Sequence, residues 1–237
     1  MNLPINQATL YSITIPSTGK KVQFRQFLVK EQKALLIAQQ SKDEEVMYHT
    51  LKEVVKSCVK GSVDIDKLAI FDVEYLFIMM RAKSVGELAE IVIMCPDCDD
   101  EKAKTNLTIN LEQVQVSKNP EHTNKIHLFD DVGVVMNYPS FSTLQLIRTS
   151  NMNNPEEAIN VVMACMDYIY NTDKVFKIDD CPKEKLIEFI DNLTDTQLQS
   201  IKSFFKTSPK VYLDIEYTCP VCAVAHNKRL EGLASFF

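Results

Sequence analysis

The chemistry of this 237-residue chain is narrowed first by what it lacks. Tryptophan is absent and only five glycines occur. None of the five stands in a GxGxxG or GxxxxGK[ST] loop, so nucleotide binding by a known phosphate cradle has no support. No run approaches the roughly 18 to 20 apolar residues that a membrane span needs. The opening stretch, Met1-Asn2-Leu3-Pro4-Ile5-Asn6-Gln7, lacks both the basic start and the apolar core of a secretory signal, and the expectation is a cytosolic chain. Positive charge is also short: 26 Lys and Arg against 32 Asp and Glu give a net charge of −6, which opposes a phosphate-gripping face. Four scattered histidines (His49, His122, His127, His226) form no HExxH pattern and no readable nucleophile–base pair. The acidic pairs Asp64/Asp66 and Asp130/Asp131 read as solvated turns. Nothing in the residues points positively to catalysis.

What the chain does have is seven cysteines, an odd number that argues against a disulfide framework. Four of them form two matched knuckles, Cys95-Pro96-Asp97-Cys98 and Cys219-Pro220-Val221-Cys222, each preceded by a strand pattern and followed by another. Two thiolates separated by two residues reach one ion, and two such pairs complete a tetrahedral shell with no open position for water or substrate. The expectation is one structural Zn²⁺ on Cys95, Cys98, Cys219 and Cys222. The knuckles lie 120 residues apart, where a compact ribbon has roughly 15 to 20. Closing such a loop costs on the order of 5 kcal/mol, against roughly 10 to 16 kcal/mol from structural zinc in small peptides, so the distance does not exclude the site. A redox dithiol is the competing reading, but it calls for a cysteine at a helix N-terminus, and neither knuckle is followed by a helical pattern. His226 is read as solvent-facing, with a ligand role open only if a cysteine is not one. Cys58 and Cys165 read as core residues on apolar helix faces, and Cys181 as a loop thiol.

An apolar share of 46% with 24% charged residues is an ordinary globular balance, and the length allows one or two domains. Residues 10–28 alternate as a β-hairpin around Pro16-Ser17-Thr18-Gly19. Helices are expected over 29–40, with Lys30 and Glu31 in water and Leu35, Leu36 and Ala38 inside, and from 43 to Gly61. A third, heavily apolar helix over 72–85 is expected to be buried on most sides. Strands are expected at 88–94, 107–109, 125–129, 132–138 and 211–217, and helices at 140–150, 155–170, 182–192 and 195–206. The fold class is α+β: an N-terminal β-hairpin and helices, a zinc-ribbon-like β unit built from the two distant knuckles, and a helical middle segment. Residues 1–110 with 210–237 are read as a hairpin and helix body joined to the split ribbon. Residues 111–209 are read as an inserted, mainly helical segment with a short β-hairpin.

Several segments together carry a resemblance. Ile15-Pro16-Ser17-Thr18-Gly19-Lys20-Lys21-Val22, Phe24-Arg25-Gln26-Phe27-Leu28-Val29-Lys30-Glu31-Gln32-Lys33, Ile70-Phe71-Asp72-Val73-Glu74-Tyr75-Leu76-Phe77, Arg81-Ala82-Lys83-Ser84-Val85-Gly86-Glu87, both knuckles and the Phe236-Phe237 end resemble the T4-type bacteriophage baseplate hub assembly proteins. The resemblance implies a late viral protein without catalytic activity. Such a protein is a hub component or assembly chaperone in the host cytoplasm or the virion tail, and its partners are other baseplate hub proteins. It implies neither nucleic acid nor a membrane among the partners. Arg25, Lys30 and the segment from Phe71 to Glu87, Arg81 in it, are expected to form or support a contact surface. Arg81 is open to a second reading as a cation at a helix C-terminus. Phe236 and Phe237 are either packed on the body or offered to a partner. The alternative reading is a zinc-ribbon nucleic-acid-binding module, which the acidic knuckle neighbours Asp97, Asp99, Asp100, Glu101 and Glu216 disfavour.

Overall fold

Alternating apolar residues build the first hairpin, and each later element answers a similar local signal. The computed structural model describes residues 8–98, 100–151 and 154–236. In chain order its first elements are β1 (Leu10–Thr14), β2 (Lys21–Arg25), α1 (Val29–Ser41), α2 (Glu44–Cys58), β3 (Val59–Lys60) and α3 (Ile70–Val85). Next come β4 (Leu88–Met94), β5 (Lys104–Asn110), β6 (Gln115–Val116), β7 (Lys125–Phe129), β8 (Val132–Met136), α4 (Phe141–Thr149) and α5 (Pro155–Ala164). The last are β9 (Met166–Tyr170), β10 (Val175–Lys177), α6 (Lys183–Asp191), α7 (Asp195–Thr207), β11 (Val211–Thr218) and β12 (Ala225–Glu231). The class is α+β, as the residue patterns imply. The chain divides into two units, 1–117 with 210–237, and 118–209.

In the first unit β1 and β2 pair antiparallel with Tyr11 opposite Phe24 and Ile13 opposite Val22, and β3 adds to β2. The connecting turn closes through Ile15 N to Lys20 O at 2.9 Å, with Gly19 at φ +67°. Its Ser17 donates from its backbone N–H (2.9 Å) and its hydroxyl to Asp72, a buried residue in the first turn of α3. The turn is thereby tied to the helix it packs against. As its composition predicts, α3 is the central helix, with Phe71, Val73, Leu76, Phe77, Ile78 and Met80 buried. A 3₁₀ turn, Leu233–Phe236, ends the unit with Phe236 fully buried. Where the chain leaves for the second unit and returns, β6 pairs with β11, and Ser117 and Lys210 exchange hydrogen bonds of 2.8 and 2.9 Å.

Two expectations for α1 reverse here. Glu31 is buried rather than wet, and Leu36 is 58% exposed rather than inside. Both follow from one contact: the Arg25 guanidinium draws Glu31 inward, which turns the Leu36 and Ile37 side of the helix to solvent.

The second unit is a four-stranded antiparallel sheet, order β10-β9-β8-β7, with α4 to α7. Its core joins Ile126, Leu128, Val134, Met136 and Ile169 from the sheet to Val162, Met163, Leu186, Ile190, Ile201 and Phe204 from the helices. Asn154 and Thr194 cap α5 and α7. The helix expected over 155–170 is corrected: α5 stops at Ala164, Cys165 caps it, and Met166–Tyr170 is strand β9 beside β8. Met166 and Ile169 continue the apolar spacing of α5, so the helical period carries past the true end. The aromatic and β-branched run Tyr168-Ile169-Tyr170 fits the pleated surface better.

Candidate metal centre

Each knuckle is a hairpin turn. β4 and β5 pair from Leu88 opposite Asn110 to Met94 opposite Lys104, and Cys95 to Cys98 occupy the turn beyond. β11 and β12 pair from Tyr212 opposite Glu231 to Thr218 opposite Ala225, with Cys219 to Cys222 beyond. The turns are closed alike, Cys95 N donating to Ala103 O (3.1 Å) and Cys219 N to Val224 O (3.0 Å). Within the second, Ala223 N donates back to Cys219 O at 3.0 Å, and Ala223 itself sits at φ 57°.

The four sulfurs lie within 4.8 Å of one another. Cys95 to Cys222 and Cys98 to Cys219 are each 3.9 Å apart, too far for a disulfide. A tetrahedral ion with metal–sulfur bonds of about 2.3 Å separates its sulfurs by about 3.8 Å. The cluster can therefore hold one metal ion with little rearrangement. Cys95 and Cys219 are buried, Cys98 is half-buried and Cys222 is exposed. The N–H groups of Cys222 and Val221 hold the Cys219 thiol down at about 7 despite burial, whereas the Cys222 thiol beside it, together with burial, pushes Cys98 up to about 12. Four thiolates at this spacing ionise together only around a cation.

His226 is not solvent-facing. β12 sets it opposite Tyr217, whose ring stacks on it at 5.2 Å, and its Nε2 lies 3.3 Å from Cys95 Sγ and 4.0 Å from Asp97 Oδ2. One nitrogen faces both groups, so Asp97 does not orient the imidazole through its other nitrogen, and the three do not form a nucleophile–base–orienter relay.

The residues expected at a contact surface fall in different places. Arg25 is buried, its guanidinium donating to Glu31 (2.8 and 3.3 Å), Ser57 O (3.2 Å) and Gln26 O (2.9 Å). Burial alone would raise the Glu31 pKa, but the Arg25 guanidinium, Leu28 N–H and the Ser57 hydroxyl hold it down at about 2. Half-buried Arg81 donates to Gly86 O at 2.7 Å and closes the end of α3. Phe236 is packed, Phe237 lies outside the described residues, and Lys30 is exposed. Beside it on α1, Val29, Leu36 and Ile37 are 66%, 58% and 67% exposed. On the outer face of β4, Leu88, Val92 and Met94 are also exposed.

The profile of the T4 bacteriophage base plate protein family matches residues 8–237, nearly the whole chain and both halves of the cysteine cluster. The chain belongs to this family. No curated protein and no solved structure gave a significant match. As a base plate family member the chain is one of the proteins of a phage tail baseplate, and it works among other phage proteins. No helix among the described residues is long and apolar enough to cross a membrane.

Proposed function

We propose that this base plate family member is a non-enzymatic component or assembly chaperone of the hub of a contractile phage tail. In this reading it works through protein contacts and carries one structural zinc ion on Cys95, Cys98, Cys219 and Cys222. The observation that carries the zinc half is the convergence of two distant knuckles on one tetrahedral spacing, 3.9 Å across each of two sulfur pairs. A filled four-thiolate shell polarises no substrate and clips β4–β5 to β11–β12. The contact half is supported by apolar side chains left in water on α1 and β4, which suit a surface covered in an assembly. In this reading Lys30, Val29, Leu36 and Ile37 meet the partner, while Arg25, Arg81 and Phe236 hold the body that presents them.

Elemental analysis of the purified chain, with melts before and after chelation, tests the first half. One zinc per chain and a transition lost on chelation is the expected result, and metal-free protein of unchanged stability would refute it. The second half is tested by co-purification with baseplate hub proteins from infected cells. Ile37→Asp should abolish capture without lowering the melting temperature, and undiminished capture would remove α1 from the contact.

A further inference from the structure

The cysteine cluster has a neighbour that the ligand count leaves unused. Among the described residues, the groups able to share an ion are the four cysteines, and Cys95 with Asp97 and His226. Cys95 alone belongs to both. We propose that His226 is a positioning residue of the metal centre, donating its Nε2–H to the Cys95 thiolate without binding the ion. The inference rests on the four-cysteine zinc reading above.

Three features of the geometry support it. The first is placement: Nε2 sits 3.3 Å from Cys95 Sγ, within reach of an N–H···S bond. The second is fixation. The imidazole is held by its register opposite Tyr217 and by the stacked Tyr217 ring, itself buried, and only 13% of its side chain is exposed. The third is need. A zinc ion with four thiolates carries net charge −2, and a buried thiolate without donors bears that charge poorly. Cys219, the buried cysteine of the second knuckle, takes backbone N–H bonds from its own turn, including Val221 N at 3.4 Å. Cys95, buried likewise, takes one from Asp97 and has the imidazole as a second donor from the facing hairpin. The bond joins the two hairpins outside the metal shell, and it explains a polar aromatic ring turned inward on a strand whose neighbours Ala225, Asn227 and Lys228 are exposed. Outer-shell partners of this kind orient metal ligands and tune their basicity.

The test is a cobalt(II) titration of the full chain, read by the thiolate-to-cobalt charge-transfer band, for the natural protein, His226→Phe and His226→Gln. Phenylalanine keeps a ring to stack on Tyr217 but has no donor, whereas glutamine keeps an N–H donor. Cobalt should bind roughly 10- to 100-fold more weakly to His226→Phe, with the band moved to lower energy and Cys95 alkylated faster. His226→Gln should recover most of the affinity and the band position. Unchanged affinity and band in His226→Phe would overturn the proposal, as would equal losses in both variants, which would mark the ring as packing only. Absence of cobalt and zinc binding by the natural protein would overturn the zinc reading itself, and that outcome shows before any variant is made.

Discussion

The two units are held together by different means. Among the described residues the buried charged side chains, Arg25, Glu31, Asp72 and Glu74, all lie in the first unit, and so does the cysteine cluster. The second has a continuous apolar core running from Ile126 to Phe204, with Ser140 as its buried polar residue. Its half-buried His122 satisfies both ring nitrogens, on Thr207 (2.8 Å) and Tyr138 (3.0 Å). The difference follows from how each is strung. The second unit is one uninterrupted stretch, defined by apolar burial between its sheet and its helices. The first is assembled from segments more than 90 residues apart in sequence. There two polar links join the separated segments, Leu233 to Glu74 and knuckle to knuckle, and two more, Ser17 to Asp72 and Arg25 to Glu31 and Ser57, tie elements within residues 1–117. The lesson is that the discontinuous unit relies on directional bonds, which fail singly and sharply.

The sharpest way to break that contrast is to remove the proposed zinc ion. Structural zinc contributes on the order of 10 kcal/mol, so chelation should raise amide exchange across β4, β5, β11 and β12 while β7 to β9 stay protected. Equal loss of protection in both units would erase the distinction. Next in size is Arg25→Ala, which takes the guanidinium from buried Glu31 and leaves it Leu28 N–H, the Ser57 hydroxyl and Lys30 at 3.6 Å; it should cost about 3 kcal/mol. Phe204→Ala in the second unit should cost about as much by leaving a cavity. The two losses differ in rescue, read by urea melts. Replacing both charges together, Arg25→Met with Glu31→Leu, should restore most of the stability. If the double variant is no better than Arg25→Ala, the ion pair is not the lock.

How much of this was legible beforehand divides along the same line. The hairpin around Gly19, the buried α3 and both knuckles announce themselves through local signals: alternation, unbroken apolarity and Cys-x-x-Cys spacing. Glu31 gives no such signal. Its neighbours Lys30, Gln32 and Lys33 read as a wet helix face, and Arg25 and Ser57, brought in by other elements, join Leu28 N–H in making its burial favourable. The same pairing takes Arg25 inside the body, where it can support a contact surface without facing the partner. β3 and β6 are two residues each, too short to show a period. For His226 the clue was positional: it lies four residues beyond Cys222, on the strand that must return beside Tyr217.

Glu74 sharpens the contrast through pH. Its carboxyl is buried in α3 and accepts Leu233 N–H at 3.4 Å; burial raises its pKa from 4.5 to about 7, the hydrogen bond offsetting only part of that. A carboxyl that holds its proton more tightly when folded favours the fold below pH 4.5, and that advantage is lost as pH rises through 7. The rise corresponds to about 3 kcal/mol at 1.36 per unit. Glu74→Gln keeps an acceptor for Leu233 and loses the charge. Its stability relative to the natural protein should therefore improve by about 3 kcal/mol between pH 4 and pH 8 in paired urea melts. A constant difference across that range would show that the lock at the end of the chain carries no electrostatic cost.

The smallest effect asks whether the second knuckle is strained as well as directional. Ala223 holds φ 57° between its own N–H bond to Cys219 O and the Val224 carbonyl that accepts from Cys219 N. A left-handed conformation costs an L-residue roughly 1–2 kcal/mol, and glycine escapes that cost while giving up about 0.5–1 kcal/mol of chain entropy. Ala223→Gly should therefore stabilise the protein by up to about 1.5 kcal/mol, whereas β-branched Ala223→Val should destabilise it. Both are read as shifts in melting temperature. The sign separates two accounts of why the turn survives with alanine. If glycine stabilises, the backbone is held against its own preference by the hairpin and the cysteines on either side. If glycine destabilises, alanine is already accommodated there, and the directional bonds of the first unit work without opposing strain.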